Sequence, residues 1–101
     1  MINPNVKIDP EFLSGFCRKW RIRELSIFGS ALRDDFNAES DLDFLVSFEV
    51  GMELDVYKLL DMKEELEARY GHTVDFIEKE TLRNPWRKGE ILRTREVIFA
   101  A

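Results

Sequence analysis

Asp41 and Asp43 stand two residues apart in Ser40-Asp41-Leu42-Asp43, at the head of the apolar run Phe44-Leu45-Val46. Side chains alternate along a strand, so acids at i and i+2 share one face. Side-by-side carboxylates repel unless a cation lies between them. Mg²⁺ takes hard oxygen ligands, usually one or two carboxylates plus substrate phosphates. Ahead of Asp41, with ten residues between, the run Glu24-Leu-Ser-Ile-Phe28 ends in Gly29-Ser30. A Gly-Ser turn opening a short helix, expected over 31–34, offers backbone N–H groups to a phosphate. Ser30 is expected to cap that helix and to lend its hydroxyl to a phosphate oxygen. Together these features describe a site for a metal–nucleotide complex. A third acid, Asp75, interrupts Thr73-Val74-Asp75-Phe76-Ile77. If that strand lies beside the second one, Asp75 joins the pair as general base or further metal ligand.

Around these residues, Arg33 is placed to touch a phosphate or to pair with Asp34 or Asp35. Ser40 is placed to orient the start of the second strand. His72, following a helix-ending glycine, reads as a solvated loop residue. Trp20, Tyr57 and Trp86 have the size to stack a base, but aromatics at helical spacing read first as core. Cys17 lies among Phe12, Leu13 and Phe16 and reads as a small buried apolar residue rather than a nucleophile.

The elements that must hold the site are locally marked. Asp9-Pro10-Glu11 reads as a capping Asp, a Pro at the first helical position and an acid, opening a helix to about Lys19. Strands are expected over 24–28, 41–48 and 73–77, the second buried on both faces. The helix expected over 54–70 carries Val56, Leu59, Leu60, Leu66 and Tyr70 on one stripe, and Gly71 ends it. Asn84-Pro85 marks a break before a helix over 86–94, and 96–100 is a last strand or helix end. The order α-β-(α)-β-α-β-α predicts an α/β (α+β) fold in which a small mixed sheet is flanked by helices.

The chain has 101 residues, 45% of them hydrophobic, which suits one domain spanning 1–101 with a modest core. Its net charge of −5 argues against direct, sequence-independent nucleic-acid binding. The stretch from Lys79 to Arg95 carries six basic and two acidic residues, hence +4, so the remainder carries −9. That stretch reads as a solvated helix face, with steering of ATP or docking of an acidic partner as alternatives. The single cysteine precludes an internal disulfide. With no apolar run of membrane-spanning length and no signal-peptide pattern, the expectation is a cytoplasmic protein.

The pattern Phe28-Gly29-Ser30, ten residues, Asp41-Leu42-Asp43, then Asp75 resembles the minimal nucleotidyltransferase (MNT) family of the polymerase-β-like nucleotidyltransferases. Gly-Ser-x-x-Arg-x-Asp-Phe (29–36), Ser-Asp-x-Asp-x-Leu-Val-x-Phe (40–48), Val-Asp-Phe-Ile (74–77) and the closing Asn84-Pro85-Trp86, Ile91-Leu92 and Val97-Ile98-Phe99 extend the likeness over nearly the whole chain. The resemblance implies an antitoxin encoded beside an HEPN-domain ribonuclease toxin. Its activity would be Mg²⁺-dependent transfer of AMP from ATP to a tyrosine hydroxyl of that toxin, which silences it within a hetero-oligomer. By the same resemblance Asp41, Asp43 and Asp75 are the catalytic and metal-binding acids, and Gly29, Ser30, Arg33 and Ser40 face the nucleotide. No departure occurs at the acids or the Gly-Ser turn, which implies an active enzyme. Two other readings stand beside it. One is a module that neutralises its toxin by covering it; the other is a small-molecule nucleotidyltransferase, for which the second domain of larger relatives is missing.

Overall fold

The computed structural model describes residues 2–101. Helix α1 (Pro10–Lys19) is followed by strand β1 (Ile22–Phe28), a 3₁₀ turn (Gly29–Leu32) and strand β2 (Leu42–Phe48). Helix α2 (Val56–Tyr70), strand β3 (Val74–Glu78), helix α3 (Pro85–Thr94) and strand β4 (Glu96–Ala100) complete the chain. Asp9 caps α1 as expected, and two further caps appear, Asp55 before α2, which starts at Val56 rather than Leu54, and Asn84 before α3. The side chain of Asp9 accepts from the Phe12 amide, Asp55 from Lys58, and Asn84 from Trp86 and Arg87. Gly71 closes α2 in the left-handed conformation at φ 72°.

The four strands form one mixed sheet in the order β3-β2-β1-β4. β1 is antiparallel to both β2 and β4, whereas β2 and β3 run parallel. The parallel pair needs a crossover, which α2 supplies. Alternation then divides the sheet into two unlike faces. Leu25, Ile27, Leu42, Phe44, Val46 and Val74 point to one side and join Leu13, Phe16, Cys17, Met62 and Leu66 of α1 and α2 in the main core. Phe28, Leu45 and, on its neighbours, Leu82 and Ile91 form a smaller apolar cluster on the other side, under α3. β2 is therefore buried on both faces, as its continuous apolar run predicts. Cys17 is fully buried and its thiol is pushed up to about 12 by that burial, so it is core rather than nucleophile.

Several expectations need correction. The short helix after Phe28 is a 3₁₀ turn that begins at Gly29 rather than at Ala31, and Asp41 precedes β2 instead of opening it. The inward face of α2 is centred on Met62 and Leu66, while Val56 and Leu60 are 60% and 53% exposed. Consecutive helical residues are rotated by about 100°, so a face centred on Met62 and Leu66 leaves Leu60 off the stripe. Tyr57 and Trp86, expected in the core, are 77% and 87% exposed. Trp20 alone of the three aromatics is half-buried, and its indole N–H donates to Glu65. No helix among the described residues is long and apolar enough to cross a membrane.

The register of α2 is directly testable by denaturation. Leu66→Ala is expected to cost about 2–5 kcal/mol, whereas Leu60→Ala should stay within about 0.5 kcal/mol. Equal costs at the two positions would contradict the burial described here.

Candidate active site

β1 brings the chain to Gly29 at the end of the sheet where β2 and β3 begin. Gly29 has φ +72°, a conformation that L side chains rarely adopt. A Cβ placed there would lie 2.6 Å from Oδ2 of Asp43, so the glycine also leaves the space that the carboxylate occupies. Asp43 is the register partner of Phe28 on one side and of Asp75 on the other. Asp43 and Asp75 therefore project from adjacent strands onto the same face, the one opposite the main core. Asp43 is half-buried, and Asp41 and Asp75 are exposed.

Asp41 is held by its backbone. The Ser30 hydroxyl donates to the Asp41 carbonyl at 2.8 Å, tying the 3₁₀ turn to the start of β2. This differs from the expected cap: residue 28 occupies the cap position, with no side-chain hydrogen bond. The loop leading to Asp41 is braced at Ser40, whose hydroxyl accepts from the Asn37 amide at 3.0 Å. The Ser40 carbonyl lies 2.8 Å from Nδ1 of His72, and the His72 ring packs on Phe36 with centroids 4.9 Å apart. His72 is thus a half-buried strut between the two aspartate-bearing segments, not a solvated residue. These contacts brace the chain at Ser40, just ahead of β2. Asn3, which no sequence signal singled out, accepts the same task from the other side. Its amide donates to the Ala31 carbonyl and its side chain to the Arg33 carbonyl, each at 2.7 Å.

The electrostatics follow from this placement. Burial raises the Asp43 pKa above the ordinary carboxylate value, and the charges of Asp75 and Asp41 raise it further. Arg87 and Arg33 oppose the rise. Arg33 pairs with Asp35 at 3.3 Å rather than with Asp34, and both groups are largely exposed. Beside the turn, a cleft of about 540 Å³ runs between Gly29, Leu32 and Arg33 on one wall and Glu90, Ile91 and Thr94 of α3 on the other.

The basic stretch is not one solvated face. Lys79 and Arg95 both reach Glu24, at 3.4 and 2.5 Å, and Arg95 also donates to Ser26 at 3.2 Å. Arg93 pairs with Glu90. Arg87 and Lys88 form no side-chain hydrogen bond or ion pair among the described residues.

Among the described residues, no three His, Cys, Asp or Glu side chains are gathered closely enough to hold a metal ion unaided. The donor chemistry nonetheless fits Mg²⁺. Asp41 and Asp43 offer hard oxygens, and the crowding of like charge at Asp43 is what a bound cation relieves.

Two predictions follow from this geometry. Gly29→Ala should cost about 1–2 kcal/mol from the left-handed backbone alone. It should also displace the Asp43 carboxylate, and a misplacement of about 1 Å lowers turnover roughly 100-fold; thermal melts and transfer rates check both effects. The second concerns pH. An acid whose pKa is higher folded than unfolded contributes stability that is lost as pH rises through the folded pKa. Without divalent cation, Asp43→Asn should therefore melt above the wild type at pH 7. That advantage should vanish as pH falls through the raised Asp43 pKa, and added Mg²⁺ should narrow it at pH 7. A variant that melts lower at neutral pH would contradict the cost that burial and the neighbouring acids impose on the Asp43 carboxylate.

Residues 10–98 match the nucleotidyltransferase domain family. The protein adenylyltransferase MntA of Thermococcus cleftensis is 35% identical over 81 residues, covering 80% of this chain and 77% of that protein. Among solved structures, a toxin–antitoxin complex with AMP-PNP superposes with a TM-score of 0.72 at 14% identity, over 92% of this chain and 74% of the matched one. A complex of the tri-AMPylated Shewanella oneidensis HEPN toxin with its MNT antitoxin gives a TM-score of 0.64 at 12% identity, over 91% and 70% of the two chains. At those identities the structures speak for the fold, and the family match and the Thermococcus cleftensis relative for the family. The chain belongs to the nucleotidyltransferase domain family and has the fold of its minimal members.

Proposed function

We propose that this chain is an antitoxin-type adenylyltransferase, moving AMP from ATP with Mg²⁺ onto a tyrosine hydroxyl of a partner HEPN-domain ribonuclease toxin and so silencing it. The observation that carries the reading is the Asp43–Asp75 pair, set on one sheet face against the Gly29 turn. The similarity to an adenylyltransferase that acts on protein supports AMP as the transferred group. The likeness to a complex containing an AMPylated HEPN toxin supports the class of acceptor.

When bound, Mg²⁺ supplies neutralisation of the triphosphate and a template for in-line displacement. Asp41 and Asp43 are the residues that would hold it. Backbone amides following Gly29 hold the phosphate chain, and Ser30 and Ser40 keep Asp41 in position through the hydrogen bonds described above. The acceptor oxygen attacks the α-phosphorus, forming a new P–O bond. The bond from that phosphorus to the bridging oxygen breaks, and its electron pair leaves with pyrophosphate. Asp75, exposed beside Asp43, takes the proton of the acceptor hydroxyl or holds a second ion. The chain's own contribution is placement and charge.

Incubation of the chain with its co-encoded neighbour, Mg²⁺ and ATP labelled at the α-phosphate tests the reading, with intact mass as readout. A partner heavier by one or more AMP units is expected with the wild type, and an unmodified partner with Asp41→Asn/Asp43→Asn. A partner left unmodified but held equally tightly by both versions would overturn the transferase and make the chain a binding antitoxin. Turnover of a small hydroxyl compound by the isolated chain would instead move the acceptor to a small molecule.

A further inference from the structure

The wall of the cleft contributed by α3 extends beyond the residues that line it. Ile91 and Thr94 face Gly29 and Arg33 across the gap, and Ile91 is only 6% exposed. Residues at i, i+4 and i+7 share one helical face. Arg87 therefore continues that face one turn toward the helix start. The helix start that carries it is fixed by the cap, because the Asn84 side chain accepts from the Trp86 and Arg87 amides at 3.0 and 3.1 Å and Pro85 sets the first turn. Unlike Lys79, Arg93 and Arg95, which are engaged by Glu24 or Glu90, Arg87 keeps its guanidinium unpaired among the described residues. Its charge is nevertheless felt at Asp43, as is that of Arg33. Two cations thus act on Asp43, Arg33 from one wall of the cleft and Arg87 from the helix that forms the other. A guanidinium fork suits phosphate oxygens, which it can bind bidentately.

We propose that Arg87 is a phosphate-binding residue that, with Arg33 opposite, holds the β- and γ-phosphates of the nucleotide and stabilises the leaving pyrophosphate. The proposal rests on the reading of this site as nucleotide-binding. As the bond from the α-phosphorus to the bridging oxygen breaks, the electron pair stays on pyrophosphate, and the charge that accumulates there is what Arg87 meets. No proton needs to move at this residue.

The test uses the purified full chain with Mg²⁺ and AMP-PNP, with AMP as the probe lacking the β- and γ-phosphates. Calorimetric affinities are measured for the wild type, Arg87→Ala and Arg87→Lys, with Arg93→Ala as a charge-matched control on the Glu90 pair. Arg87→Ala should weaken AMP-PNP by about 10- to 100-fold, leave AMP within about twofold and leave the melting temperature unchanged. Arg87→Lys should recover only part of the loss, because an ammonium lacks the fork, and Arg93→Ala should bind like the wild type. With a modified partner in hand, Arg87→Ala should also lower kcat, a drop that a purely structural role at constant stability does not produce. AMP-PNP binding unchanged in Arg87→Ala, or AMP and AMP-PNP weakened equally, would overturn the proposal. A wild type that binds AMP-PNP through Arg87 yet modifies no partner would refute the transferase reading and leave this one standing.

Discussion

The burial of one carboxylate, Asp43, beside two others is the constraint on which this site is built. Asp75 is its register partner and Asp41 stands two residues before it, and part of the crowded group is withdrawn from water. Such a group destabilises the fold that contains it unless the fold's other contacts offset the repulsion. Alternation along β2 does this within a single strand. The residues on either side of Asp43, Leu42 and Phe44, enter the main core between the sheet and α1 and α2, both essentially without exposure. The strand that carries the strained acid is thereby the strand most firmly held. Strain of this kind is retained at one spot against a well-packed background.

The second sheet face is of a different kind. It holds Glu24, Ser26 and Ser47 beside the small cluster of Phe28, Leu45, Leu82 and Ile91. Glu24 is matched by Lys79 and Arg95, and Ser47 lies between Arg23 at 2.9 Å and Glu80 at 2.9 Å. The acid pKa of Glu24 is lowered chiefly by the Arg95 hydrogen bond. These contacts pin both ends of the segment carrying α3 onto the sheet, while the side of α3 nearest Gly29 stays open as a cleft. Half of the basic side chains in that segment, Lys79, Arg93 and Arg95, are thus engaged by acids.

Much of this was legible in the sequence, for local reasons. Asp9-Pro10 and Asn84-Pro85 start their helices because capping and proline geometry act within one turn. The apolar run of β2 revealed a strand buried on both faces, and the spacing of Gly29-Ser30, Asp41, Asp43 and Asp75 carried the family. What was not legible depends on contacts distant in sequence. The Ser30 hydroxyl meets a carbonyl eleven residues away, and His72 meets one at a separation of 32. Which residues of α2 turn inward depends on how the helix lies over β3, and Leu60 and Met62 exchange roles accordingly. Arg87 looked like one charge in a basic run until the sheet order placed α3 over the face that bears Asp43.

The contact between Gly29 and Asp43 makes these two positions a single unit of change. Only the missing side chain at residue 29 makes room for the carboxylate at residue 43. A descendant of this fold that gave up catalysis and shortened residue 43 would lift the steric bar at residue 29 in the same step. The left-handed backbone would remain, so the replacements first admitted there would be asparagine or aspartate rather than branched residues. Loss of activity in this architecture would then leave a paired signature, a small residue at 43 facing a short polar one at 29, across a turn whose shape had not altered.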